Sequence, residues 1–174
     1  MLAARSAVGS VQRARQEVAI ANNVMAWLRL HPIKILGVYW PMRGEPDLRP
    51  LYAELAAQGM RLALPVVLER DAPLAFAAWS PGDALTADRM GISAPVSRTL
   101  VTPDALLVAC VGFSDTGHRL GYGGGFYDRT LEQLPRPCAI GIATEAGRAF
   151  FACDAHDIAM DVVITERIAP GTAS

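Results

Sequence analysis

The sequence predicts an α/β fold: one domain over residues 1–174, in which helices cover both faces of a mainly parallel sheet in three layers. Strand-like apolar runs alternate with helical patterns, which is the order that parallel α/β sheets require. The 174 residues, 52% of them hydrophobic, suffice for one core. No internal repeat, low-complexity tract or long linker divides the chain.

The elements follow in order along the chain. Apolar residues near helical spacing predict an N-terminal helix, at Val8, Val11, Val18, Met25 and Leu28. The acid-free, Arg-bearing start also has some character of a transit peptide, but a helix is the simpler interpretation. A second helix is expected between Asp47 and Gly59, and a third over residues 127–134. Short β-branched and aromatic runs predict strands at 34–40, 61–67, 73–79, 105–113, 138–144 and 161–166.

Charge and composition narrow the range of partners. A net charge of −1 gives no electrostatic reason to expect nucleic acid or an anionic membrane. No apolar run approaches the eighteen or so residues of a membrane span. We therefore expect a cytoplasmic protein, a monomer or weak homo-oligomer. Cys110, Cys138 and Cys153 form no CxxC pair, so we expect free thiols rather than disulfides or a metal site.

The segment RLGYGGGFYDR, residues 119–129, carries the strongest functional signal. Three consecutive glycines weaken a regular element, but they let backbone N–H groups approach a phosphate. Arg119 and Arg129 could neutralise phosphate oxygens, and Asp128 could hold a magnesium ion. The only lysine is Lys34, so a Walker-type loop is excluded. The alternative is a tight strand-to-helix turn in which the glycines merely allow positive φ.

The stretch VGFSDTGHRLGYGGGFYDRTL resembles the signature of the 5-formyltetrahydrofolate cyclo-ligase family, also called methenyltetrahydrofolate synthetases. GVYWPMRGEPDLRPL, RLALPVV, MGISAP and HDIAMDVVITE match in the same order, so the resemblance covers about residues 34–168. It implies a fold like that of sugar-phosphate isomerases and coenzyme A transferases. It also implies an ATP- and Mg²⁺-dependent cyclisation of 5-formyltetrahydrofolate to 5,10-methenyltetrahydrofolate. That reaction passes through an iminophosphate and releases ADP and phosphate.

The resemblance also implies roles for individual residues. Arg119, Tyr127 and Asp128 would be catalytic, and Asp128 and Asp161 would bind the metal. The nucleotide would contact Arg119, Leu120, Gly121, Tyr122, Gly123, Gly124, Gly125, Phe126 and Tyr127. The folate would contact Trp40, Glu45, Tyr122, Gly123, Gly124, Gly125 and Phe126. Without the resemblance, Glu45 would be a solvated loop residue and Asp161 a turn residue at the start of a strand.

Some positions depart from the family pattern. A basic N-terminal lysine is missing, and Arg5, Arg13 or Arg15 could replace it. Ser114 stands where an aspartate is usual, with Asp115 one place later. These changes keep open a non-catalytic folate- or nucleotide-binding relative. A sugar-phosphate isomerase is a further alternative, but it leaves Trp40 and Glu45 without a function.

Overall fold

The computed structural model describes residues 9–152 and 154–167, and a mixed sheet runs through their centre. The helices are α1 (Ser10–Leu30), α2 (Arg49–Ala57) and α3 (Phe126–Leu131). The strands are β1 (Ile35–Gly37), β2 (Arg61–Val66), β3 (Ala75–Trp79), β4 (Leu85–Ala87), β5 (Ser93–Pro95), β6 (Leu100–Val101), β7 (Ala105–Ala109), β8 (Gly112–Phe113), β9 (Arg119–Leu120), β10 (Cys138–Ile142) and β11 (Val162–Ile164). A short 3₁₀ helix spans Glu145–Gly147.

Seven strands form the central sheet, in the order β11-β10-β7-β1-β2-β3-β6. The five strands from β11 to β2 are parallel to one another, whereas β3 runs antiparallel to β2 and to β6. This confirms the mainly parallel sheet. The chain segments that follow β1, β7 and β10 leave the sheet at the same side, which we call the carboxyl edge. Ligands of open α/β sheets bind at that edge.

Each face of the sheet is covered by a different layer. Neighbouring residues of a strand point to opposite faces, and β7 shows this clearly. Leu107 lies in an apolar cluster with Ile20 of α1 and Leu51 of α2. Leu106 lies in a second cluster with Leu131 of α3. The predicted three layers are therefore present, and full burial of a side chain such as Leu131 contributes about 1.5–3 kcal/mol to the stability of the fold.

The structure corrects the prediction of one strand over residues 105–113. The strand β7 ends at Ala109, and β8 leaves the sheet to pair with β9 as a separate antiparallel hairpin. The Val111 N–H donates to the Leu120 carbonyl instead of extending the sheet. The glycines of residues 121–125 therefore follow this hairpin and do not directly follow the central strand β7. The third helix is also shorter than predicted, because it ends at Leu131.

The structure also bears on the predictions for the irregular stretch, the cysteines and a membrane span. The stretch that the sequence left irregular contains the β4–β5 pair. Cys110 and Cys138 are free cysteines, as predicted. Val8, Arg5 and Cys153 lie outside the described residues. Within the described part of the chain, no helix combines the length and the apolar character needed to cross a membrane.

Candidate active site

Residues 121–125, which we call the glycine turn, join β9 to α3. Gly123 and Gly125 have φ of 82° and 63°, the left-handed region that glycine tolerates best. A Cβ on Gly125 would also lie 2.7 Å from Nη1 of Arg129. Within the described residues, the N–H groups of Gly123, Gly124 and Gly125 have no hydrogen-bond acceptor. The turn therefore presents free backbone donors, as anion-binding loops do.

Arg119 and Asp128 face each other across the glycine turn. Nη1 and Nη2 of Arg119 donate to Oδ1 and Oδ2 of Asp128 at 2.9 and 3.0 Å. The Ile158 N–H donates to Oδ1 at 3.2 Å. Burial acts to raise the pKa of Asp128, but the hydrogen bonds and charge of Arg119 outweigh it and hold this pKa below its usual value. The predicted nucleotide-facing cation and metal-binding anion thus neutralise each other in this structure.

The phenol of Tyr127, in α3, feels the charge of Glu45, which lies in the loop after β1, residues 38–48, which we call the β1 loop. Desolvation raises the pKa of the partly buried Tyr127 well above its usual value, and the negative charge of Glu45 adds to this rise. The guanidinium of Arg119 lies 5.8 Å from the centre of the Tyr127 ring. Tyr127 therefore remains a neutral phenol and can donate a hydrogen bond.

The side chain of Glu45 is buried within the β1 loop. It is 6% exposed, so the alternative of a solvated loop residue is wrong. Its Oε2 accepts the Met42 N–H at 3.0 Å, and its backbone carbonyl accepts Nη2 of Arg13 at 3.1 Å. A buried carboxylate held in this way is positioned to receive hydrogen-bond donors from a ligand.

Aromatic side chains surround the same region. Trp40 of the β1 loop stacks edge-to-face on Trp79, with 6.0 Å between the ring centres. Tyr122 of the glycine turn is 43% exposed, and the guanidinium of Arg43 lies 5.1 Å from its ring centre. Phe126 opens α3 directly after the turn. The β1 loop and the glycine turn therefore meet at the carboxyl edge through Arg43 and Tyr122. The ring of Trp40, in contrast, contacts Trp79 and Arg49.

Asp161 lies in a different environment. It precedes β11, and Nη1 of Arg136 donates to its two carboxylate oxygens at 2.9 and 2.8 Å. The Ala139 N–H donates to Oδ2 at 2.6 Å. Asp161 and Asp128 thus have separate arginine partners, and no residue of the described ranges hydrogen-bonds to both. Among the described residues, no group of three or more His, Cys, Asp and Glu side chains could hold a metal ion.

The helix α1 contributes contacts that the sequence did not predict. Arg13 reaches the Glu45 carbonyl and also pairs with Glu17 at 3.1 Å. Gln16 donates to Glu166, after β11, at 3.0 Å. The first half of α1 therefore crosses the carboxyl edge. Of the arginines that could replace the missing lysine, Arg13 lies beside the β1 loop.

The hairpin residues that depart from the family pattern have local partners. Ser114 is buried, and its Oγ lies 2.8 Å from Oγ1 of Thr116, which lies 3.0 Å from Nδ1 of His118. The neighbouring Asp115 pairs with Arg148. These contacts close the turn between β8 and β9. Ser114 and His118 therefore have a structural role in the hairpin.

The chain is similar to one enzyme family over most of its length. The sequence model of the 5-formyltetrahydrofolate cyclo-ligase family matches residues 1–166. The 5-formyltetrahydrofolate cyclo-ligase of Escherichia coli is 33% identical over 134 residues, 74% of each chain. That of Mycoplasma pneumoniae is 28% identical over 169 residues, 95% of this chain and 94% of the relative. The solved structure of 5,10-methenyltetrahydrofolate synthetase from Aquifex aeolicus gives a TM-score of 0.82 at 30% identity, covering 96% of this chain and 86% of that one.

Proposed function

Since the chain belongs to the 5-formyltetrahydrofolate cyclo-ligase family, we propose that it cyclises 5-formyltetrahydrofolate to 5,10-methenyltetrahydrofolate at the expense of ATP. One observation carries the proposal. A turn with free N–H donors meets a loop that holds a buried carboxylate, and the exposed ring of Tyr122 lies between them at the carboxyl edge. The first feature suits a polyphosphate, and the others suit a flat heterocycle.

The chemistry divides into two steps. The formyl oxygen attacks the terminal phosphoryl group of ATP, so that ADP leaves and an iminophosphate forms. N10 of the folate then attacks the activated carbon, and phosphate leaves as the ring closes. Transfer of a phosphoryl group depends mainly on positioning and on stabilising negative charge. The free N–H groups of the glycine turn can position the phosphates and stabilise their negative charge.

Glu45 and the aromatic side chains are assigned to the folate. A carboxylate accepts two parallel hydrogen bonds from an aminopyrimidine edge, which fixes the orientation of a pterin. The Met42 N–H holds one oxygen of Glu45 in place, and an ionised carboxylate has about four acceptor positions in all. Trp40, Tyr122 and Phe126 offer ring faces for stacking.

Asp128 fits a magnesium ion that arrives with the nucleotide. Mg²⁺ usually takes one or two carboxylates together with substrate phosphates and water, so a three-acid cluster is not required. The lowered pKa keeps Asp128 anionic at neutral pH, although Arg119 already occupies both of its oxygens. Bound there, the ion would neutralise negative charge on the phosphates. The resemblance also assigns Asp161 to the metal, but Asp161 precedes β11 at the amino end of the parallel strands and binds Arg136, so this proposal rests on Asp128 alone.

A non-catalytic folate- or nucleotide-binding protein remains the second candidate, because Arg119 and Asp128 neutralise each other. The two candidates differ in turnover. Purified protein is mixed with 5-formyltetrahydrofolate, ATP and Mg²⁺, and absorbance is followed at the methenyl-folate band. The enzyme gives a rise that requires all three components. The binding protein gives heat of binding in a calorimeter and no rise.

A further inference from the structure

Arg129 lies one turn into α3, and its side chain folds back over the glycine turn. Nη2 donates to the Gly124 carbonyl at 2.7 Å. The guanidinium lies 5.1 Å from the centre of the Phe126 ring. A Cβ on Gly125 would lie 2.7 Å from Nη1, so glycine at this position makes room for the guanidinium. The sequence thus places a cation directly beside the free N–H donors of the turn.

Among the described residues this cation has no anion, and in this it resembles Arg43 but differs from four other arginines near the site. Within residues 9–152 and 154–167, no carboxylate lies within ion-pairing distance of Arg129. Its Nε is buried and has no hydrogen-bond partner among the same residues. An unsatisfied buried donor on a charged group is costly, and such exceptions call for an explanation. By contrast, four arginines near the carboxyl edge are each paired with acids: Arg13, Arg49, Arg119 and Arg148.

We propose that Arg129 is the phosphate-binding cation of the glycine turn, supplying the positive charge that Arg119, neutralised by Asp128, does not. The assignment rests on the nucleotide binding of the proposed function. A guanidinium contacts phosphate oxygens with two parallel hydrogen bonds. The N–H groups of Gly123 and Gly124 are open to the same phosphate. A bound polyphosphate would give Arg129 the anion that the described part of the chain does not provide.

The competing explanation is that Arg129 only braces the turn through the Gly124 carbonyl. The two explanations differ in what the loss of the charge does to ligands with and without phosphate. Arg129→Gln removes the charge and keeps a donor, whereas Arg129→Lys keeps the charge. Arg61→Gln makes the same charge change on an exposed side chain at the start of β2, the opposite end of the parallel strands.

Calorimetric titration of ATP, ADP and adenosine into the four proteins tests the assignment. We expect Arg129→Gln to weaken ATP binding by about tenfold to hundredfold and adenosine binding by less than about twofold. Arg129→Lys should recover part of the loss, and Arg61→Gln should bind like wild type. If Arg129→Gln does not fold, Arg129→Lys still tests the inference. Lysine keeps the charge but lacks the two parallel donors of a guanidinium, and this loss alone should weaken ATP binding more than adenosine binding.

Three results would overturn the inference, and they are distinguishable. ATP binding of Arg129→Gln as tight as that of wild type refutes the inference alone. Equal losses for ATP and adenosine identify a bracing role instead. If wild-type protein binds adenosine but gains nothing from the phosphates, or binds no ATP at all, the nucleotide part of the proposed function fails together with it.

Discussion

Replacement of Asp128 by asparagine separates the charge of the Arg119–Asp128 pair from its shape. The two side chains are 8% and 17% exposed, so the pair is largely shielded from water. Asparagine keeps one acceptor but faces Arg119 with an amide that cannot accept. Breaking a buried pair by removing one partner costs about 3–5 kcal/mol, and the retained acceptor reduces this to about 2–4 kcal/mol.

The assay is urea unfolding of wild type and variant, followed by tryptophan fluorescence. Asp161→Asn is the matched control, since Asp161 also binds an arginine through both oxygens. Its pair is more exposed, at 32% and 39%, so its loss should cost about 0–1 kcal/mol. A loss for Asp128→Asn no greater than for Asp161→Asn would refute the reasoning.

The same pair has a predictable pH dependence. The folded-state pKa of Asp128 is lowered, so its contribution to the free energy of unfolding is present above its unfolded pKa of about 3.9. That contribution is lost as pH falls through the folded value. The difference between wild type and Asp128→Asn should therefore stay constant above about pH 5 and shrink below about pH 4. A difference that grows in acid would contradict the assignment of the charge.

Three further substitutions test other parts of the account. Gly125→Ala should lower the free energy of unfolding by about 1–3 kcal/mol, because Gly125 has a positive φ and a Cβ there would contact Arg129. Gly121→Ala, with open space around the new Cβ, should leave the free energy of urea unfolding nearly unchanged. Glu45→Gln should weaken folate binding about tenfold and leave ATP binding unchanged in calorimetry; equal losses for both would remove Glu45 from the folate site. Leu131→Ala should cost about 2–5 kcal/mol in thermal or urea unfolding, whereas Leu134→Ala, 89% exposed, should cost little; equal costs would contradict the packing of α3.

The sequence predicted the layers and the parallel sheet because these depend on local apolar patterns. Alternating strand and helix patterns leave few arrangements for a chain of this length. The boundary of β7 was harder to predict, since residues 105–113 are one continuous apolar run. The chain departs from the sheet near Gly112, where backbone pairing with β9 replaces pairing within the sheet. The hydrophobic periodicity of a sequence does not show which strand a segment pairs with.

Prediction of the site was limited in a similar way. The glycine turn was proposed from its composition, and the roles of Glu45 and Trp40 were proposed from a resemblance and stay predictions. The pairing of Arg119 with Asp128 depends on how β9 and α3 meet, which residue types do not reveal. The contact of Arg13 with the Glu45 carbonyl joins residues 32 positions apart. It exists only because α1 packs across the carboxyl edge.

The central claim is that the carboxyl edge joins a phosphate-binding turn to a folate pocket in one working enzyme. Absorbance at the methenyl-folate band tests it most directly, with 5-formyltetrahydrofolate, ATP and Mg²⁺ added together and each omitted in turn. The account predicts a rise only in the complete mixture. A flat trace from folded protein that still binds ATP and the folate would contradict it.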